Sequence, residues 1–72
     1  MNKHKVIAPD GSLHKRVSQN RVYTHTVMGQ HKESGKWINL GWCSSAELAR
    51  KLSGSRKCSY YNNITIFEAE KG

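Results

Sequence analysis

Four histidines (His4, His14, His25 and His31) and two cysteines (Cys43 and Cys58) are the side chains here that could hold a metal or work as acid, base or nucleophile. Zinc sites are announced by paired ligands at short spacing, such as C-x-x-C, because one turn then aims both ligands at one ion. Cys43 and Cys58 lie fifteen positions apart, and the closest histidine pair, His25 and His31, falls on a strand and its turn. No metal site is expected. A nucleophile with its base is formally available from Cys43, Ser44 or Ser45 with His25, on adjacent strands. Such a pair also needs a third group to orient the base. The acids (Asp10, Glu33, Glu47, Glu68 and Glu70) fall in turns, a helix cap and a tail. Phosphate-cradling glycine loops and paired catalytic carboxylates are missing from the sequence. The chain reads as a non-enzyme, with no cofactor and no small-molecule substrate.

What remains is charge. Twelve Lys and Arg stand against five Asp and Glu over 72 residues, a formal net charge of +7. The excess lies in two blocks. Residues 1–21 hold Lys3, Lys5, Lys15, Arg16 and Arg21 against Asp10, and residues 50–57 hold Arg50, Lys51, Arg56 and Lys57 with no acid. A small protein this basic is drawn to polyanions, since each phosphate it neutralises releases condensed counterions. Tyr23 stands near the first block and Tyr60 and Tyr61 near the second. Aromatic rings among cations are the means by which single strands are stacked and held.

The length allows one domain, and 36% hydrophobic against 24% charged residues makes it globular. The basic start Met1–Lys5 has no long apolar stretch behind it, and two cysteines are few for a small secreted protein. Reduced thiols in a bacterial cytoplasm are expected, with a single Cys43–Cys58 bridge as the alternative. Val6-Ile7-Ala8 is the longest apolar run, so a membrane partner is not expected.

The elements that must position these side chains follow from turn and pattern signals. Pro9-Asp10-Gly11 is a turn between Lys5–Ala8 and Leu13–Val17, so residues 1–20 form a basic hairpin or arm. Residues 21–72 form a β-β-α-β core. Arg21–Gln30 is rich in β-branched and aromatic residues, and Lys36–Cys43 alternates with Ile38, Leu40 and Trp42 on one face. Ser44 and Glu47 fit a capping box opening a helix over Ala46, Leu48, Ala49 and Leu52, with Gly54 as its stop. Residues 54–63 form a basic loop, Asn63–Ala69 a last strand, and residues 68–72 a solvated tail. The fold class is α+β: a small antiparallel sheet of three to five strands with one short helix on one face.

One short helix covers part of one face. The other face would carry Trp37, Asn39 and Phe67, with Tyr23 and His25 if they share that side. Three occupants are open for it: nucleic acid stacked on the aromatics, a second copy in a homodimer, or the N-terminal hairpin folded over it.

Across Arg16-Val17-Ser18-Gln19-Asn20-Arg21-Val22-Tyr23-Thr24-His25-Thr26-Val27, then Gly41-Trp42-Cys43-Ser44 and Glu47-Leu48-Ala49, the chain resembles small uncharacterised phage and prophage proteins. These carry an R-x-Y-T-H-x-V strand and a G-W-C/S segment leading into a helix. The likeness spans residues 16–52 and implies a phage-encoded protein, with no site residues to carry over. Leu40–Ala49 is also similar to the strand-to-helix junction of three-stranded-sheet DNA-binding domains of the integrase-arm kind. The chain departs from those by its last strand and by lacking their Arg-rich first strand.

The expected function is a basic binding protein. Arg16, Arg21, Lys36, Arg50, Lys51, Arg56 and Lys57 would contact phosphate, and Trp37, Tyr23 or Tyr60 would stack on bases. The alternative is a phage anti-defence inhibitor, of the anti-CRISPR or anti-restriction type, that binds a host protein or nucleoprotein complex.

Overall fold

The structure is a computed structural model that describes residues 1–71, and Gly72 lies outside the described residues. The architecture is α+β, with two three-stranded antiparallel sheets and one helix. The Pro9-Asp10-Gly11 turn joins β1 (Asn2–Ile7) to β2 (Leu13–Ser18). Gly11 takes φ +87°, which a side chain would resist, and its N–H donates to Ala8 O at 2.9 Å. The Ser12 hydroxyl (2.6 Å) and amide (2.9 Å) donate to Asp10 and hold its carboxyl below the ordinary value. The stretch read as a solvated tail is paired instead: β6 (Glu70–Lys71) adds to the free edge of β1, with Glu70 opposite Lys5. That row places an acid beside a lysine that already faces Lys15 across the hairpin.

The second sheet has β3 (His25–His31) at its centre, between β4 (Trp37–Cys43) and β5 (Tyr61–Glu68). β3 begins at His25, four residues later than the sequence suggests. The cause is Tyr23, whose N–H donates to His4 Nε2 at 2.9 Å. The last strand begins two residues earlier than expected, at Tyr61.

A bulge in β4 redistributes the aromatic side chains. Val27 pairs with Gly41 but Met28 pairs with Asn39, so Leu40 is the extra residue. Leu40 and Gly41 consequently both face the helix; a Cβ on Gly41 would lie 2.5 Å from Leu52 Cδ2. Trp42 is thereby turned to the opposite face. The expectation that it joins Ile38 and Leu40 is corrected: strict period-2 alternation fails where a bulge inserts one residue. A second irregularity, between Met28 and Gln30 against β5, surrounds Gly29. There an added Cβ would meet Tyr61 Cβ at 2.9 Å.

Helix α1 (Ala46–Ser53) is capped by Ser45, not Ser44: Ser45 Oγ accepts from the Leu48 N–H at 3.2 Å, so the expected Ser44–Glu47 box does not form. Glu47 still occupies the first turn and Arg50 and Lys51 the last, as the helix dipole favours, and the Gly54 N–H donates to Arg50 O at 3.2 Å, with φ −91° in place of the left-handed conformation of a glycine stop. Ala49, fully buried, seats the helix on Val27, Leu40, Cys43 and Cys58. A one-turn 3-10 segment (Arg56–Tyr60) then leads into β5. Among the described residues no helix is long and apolar enough to cross a membrane.

The other face of the second sheet is covered by the first. Val6 and Ala8 pack on Met28, with Trp37, Trp42 and Phe67 around them. Of the three occupants open to this face, the N-terminal hairpin is the one that fills it. Trp37 is therefore not an open stacking platform; its ring meets Phe67 edge-on at 6.0 Å.

Candidate functional site

All four histidines have structural work. His4 is buried, with Nε2 accepting from the Tyr23 N–H and Nδ1 3.3 Å from Arg16 O. These partners assign the proton to Nδ1, so that it donates to Arg16 O. His14 lies against the Ser12 hydroxyl at 3.0 Å, and His25 against Thr24 Oγ1 at 2.8 Å. His31 Nδ1 accepts from the Glu33 (3.2 Å) and Ser34 (3.4 Å) amides in the β3–β4 turn. Among the described residues no three His, Cys, Asp or Glu side chains gather as metal ligands would. Cys43 does sit opposite His25 in the sheet, as the hairpin requires. Burial pushes the Cys43 thiol up, away from the thiolate a nucleophile needs. Cys58 donates to Leu52 O at 3.0 Å, and both thiols are free and buried.

Two depressions among the described residues bear on the site. The larger, about 640 Å³, opens between the N-terminus, residues 22–25 and the C-terminal strand. Glu68 and Glu70 line it beside Lys3, Lys71 and Met1, so charges of both signs meet there. The smaller, about 380 Å³, is an open groove along the bulged edge of β4, lined by Arg16, Tyr23, Asn39, Leu40, Gly41 and Trp42. Its walls contain no acid.

Each wall of that groove has a local cause. Arg16 pairs with His4 across the hairpin, so its side chain shares the inner face of the first sheet. Its guanidinium lies over the Tyr23 ring, 5.9 Å from the centroid. Such stacking leaves the guanidinium edge able to meet phosphate. Tyr23 is fixed by its amide bond to His4 and by edge-on ring contact with it at 5.1 Å. Trp42, delivered here by the bulge, lies tilted against both (6.3 Å to His4, 6.4 Å to Tyr23). The bulge is tied by Thr26 Oγ1, which donates to Gly41 O at 2.8 Å and accepts from Asn39 Nδ2 at 2.7 Å. From the other side Lys57 Nζ donates to Leu40 O at 3.3 Å. Arg16 is the cation that lines the groove, and Lys57 braces the backbone of its wall.

The remaining expected contact residues are more scattered. Tyr60 stands in the same 3-10 turn as Arg56 and Lys57 and is 68% exposed. Arg50 and Lys51 lie exposed on α1, and Lys36 sits exposed beside the β3–β4 turn. Arg21 lies exposed in the loop after β2; its carbonyl accepts from Asn2 Nδ2 at 3.1 Å and from the Ser18 hydroxyl. Trp37 is under the first sheet, as above. Asn39, Gly41, Trp42 and His4 were not singled out as site residues from the sequence. Gly41 carried the one usable signal, since a glycine inside a strand pattern marks a bulge or a close backbone approach.

No family model, curated protein or solved structure matches this chain.

Proposed function

We propose that the protein is a non-enzymatic nucleic-acid-binding module whose contact surface runs along the β4 groove. The observation that carries this reading is an acid-free groove in which Arg16 lies over the Tyr23 ring. Arg16 lines the groove, and Lys57, forty-one residues later, is bonded to the Leu40 carbonyl in its wall. A guanidinium stacked at an acid-free concave edge is set to meet an anion. Phosphate is the anion that offers both charge and repeat along a chain.

The test is a fluorescence-anisotropy titration of labelled oligonucleotides at 50 and 200 mM salt. For about four phosphates on a single strand, affinity is expected to fall roughly 50-fold across that range. Binding that ignores salt, or no binding at 50 mM, would overturn the proposal.

A second reading has its own observation. Ile7, Leu13 and Val17 lie 58%, 52% and 52% exposed on the outer face of the first sheet, among Lys3, Lys5 and Lys15. Aliphatic surface has little use in phosphate contact and suits an acidic protein surface better. On that reading, and with the likeness to phage proteins, the chain is an inhibitor of a host protein or nucleoprotein complex. Retention of a purified target after nuclease treatment would favour it over direct nucleic-acid contact.

A further inference from the structure

We propose that the free edge of β2 takes an extended acidic segment of a partner protein as a fourth strand of the first sheet. The proposal rests on the second reading above, in which the outer face meets an acidic protein, and names how that partner is held. Among the described residues β2 is an edge, since the strand order is β2-β1-β6. Its six rows against β1 run from Asn2↔Ser18 to Ile7↔Leu13 with no register shift, and it contains no proline. Bulges and prolines are the usual means of closing such an edge to further pairing. The edge strand β4, by contrast, is bulged and has Lys57 on its Leu40 carbonyl. Lys15 is the guard that β2 keeps. A lysine repels another basic strand and admits an acidic one.

Charge chooses the occupant. Residues directly opposite in a sheet share a face, so Glu70, Lys5 and Lys15 form one row on the outer side. Like charges set opposite each other cost stability. Glu70 relieves Lys5 from one side, and the matching place beside Lys15 is the open edge. A carboxylate there completes a row of acid, lysine, lysine, acid. Two residues along β2 in either direction stand Leu13 and Val17, each 52% exposed. Aliphatic side chains of the partner would cover them, which gives the pattern aliphatic-x-acid-x-aliphatic. A second copy of this chain fails on charge. Paired antiparallel with itself about its centre, β2 sets Lys15 against Arg16.

The test titrates isotope-labelled protein with the end-capped peptide Thr-Ile-Thr-Glu-Thr-Ile-Thr, up to about 1 mM, and follows it by two-dimensional NMR. Two further peptides carry N-methyl groups on one or the other alternate set of amides, and a third has Lys in place of Glu. The acidic peptide is expected to bind, with its largest shifts on the amides of residues 13–17. One of the methylated peptides should bind at least about 10-fold more weakly, because strand pairing uses one alternate set of amides and side-chain docking uses none. Lys15→Glu should lose roughly 2- to 30-fold for the acidic peptide and gain binding of the lysine peptide. Lys32→Glu makes the same charge change in the β3–β4 turn and should leave both as in the wild type. Equal binding of the parent and both methylated peptides overturns strand addition and leaves the acidic-protein reading of the outer face standing. No binding of any peptide, or β2 shifts produced by dT12 and not by the acidic peptide, overturns both.

Discussion

The two sheets have the same strand count and the same antiparallel pairing, yet they are used differently. In the second sheet β3 is buried on both faces: Thr26, Val27 and Met28 are fully inaccessible, with α1 over Val27 and the first sheet over Met28. In the first sheet β1 is buried on one face only. His4, Val6 and Ala8 point inward, while Ile7 stands 58% exposed with Leu13 opposite. The second sheet is thus the core of the domain, and the first is a cover with a wet outer side. A chain of this length cannot fill two complete cores. It fills one and a half, and the groove lies at the seam between them, where Arg16 from the cover reaches Tyr23 and the edge of β4.

The largest effect should come from the side chain on which the two sheets meet. Met28→Ala removes a fully buried side chain from the contact with Val6 and Ala8. A loss of about 2–5 kcal/mol is expected, close to the whole stability of a domain this small. Urea or thermal unfolding reads it, and a loss under about 1 kcal/mol would mean the sheets do not pack there. His4→Phe comes next. It keeps the ring but strands the Tyr23 N–H and the Arg16 carbonyl, at roughly 1–3 kcal/mol in the same unfolding assay. An unchanged midpoint would show that His4 does not pin residues 22–24 to the cover. Leu13→Ser, on the outer face, should move stability by no more than about 0.5 kcal/mol. A large loss there would show that the outer face is covered in solution, and the contrast between the sheets would fail.

Much of the fold was legible in local signals. The Pro9-Asp10-Gly11 hairpin, the β3–β4 pair, the helix after Cys43 and a final strand all rest on turn residues and short-range patterning, and each is present. What the sequence left open depended on distant contacts. Nothing local says that Glu70 and Lys71 will pair with β1, or that a histidine near the N-terminus will capture the Tyr23 amide. Trp42 falls on the side opposite to the one alternation predicts, because a bulge is invisible to alternation unless Gly41 is taken as its marker. The candidate site divides in the same way. Arg16, Tyr23, Lys57 and Tyr60 stood out by type and charge block. The placing of Arg16 and Tyr23 at the β4 edge required the bulge and the His4 staple, and of the three occupants open to the face that carries Trp37 the cover is the one present.

The most direct test of the central claim, that nucleic acid meets the seam at the β4 edge and not a sheet face, is an amide-shift map. Isotope-labelled protein would be titrated with dT12 and followed by two-dimensional NMR. The account predicts that the largest changes fall on Arg16, Tyr23, Asn39, Gly41 and Trp42, with Thr26, Met28 and the outer row Lys3, Lys5 and Lys15 nearly still. Shifts concentrated on that outer row, or on Trp37 and Phe67 under the cover, would contradict it.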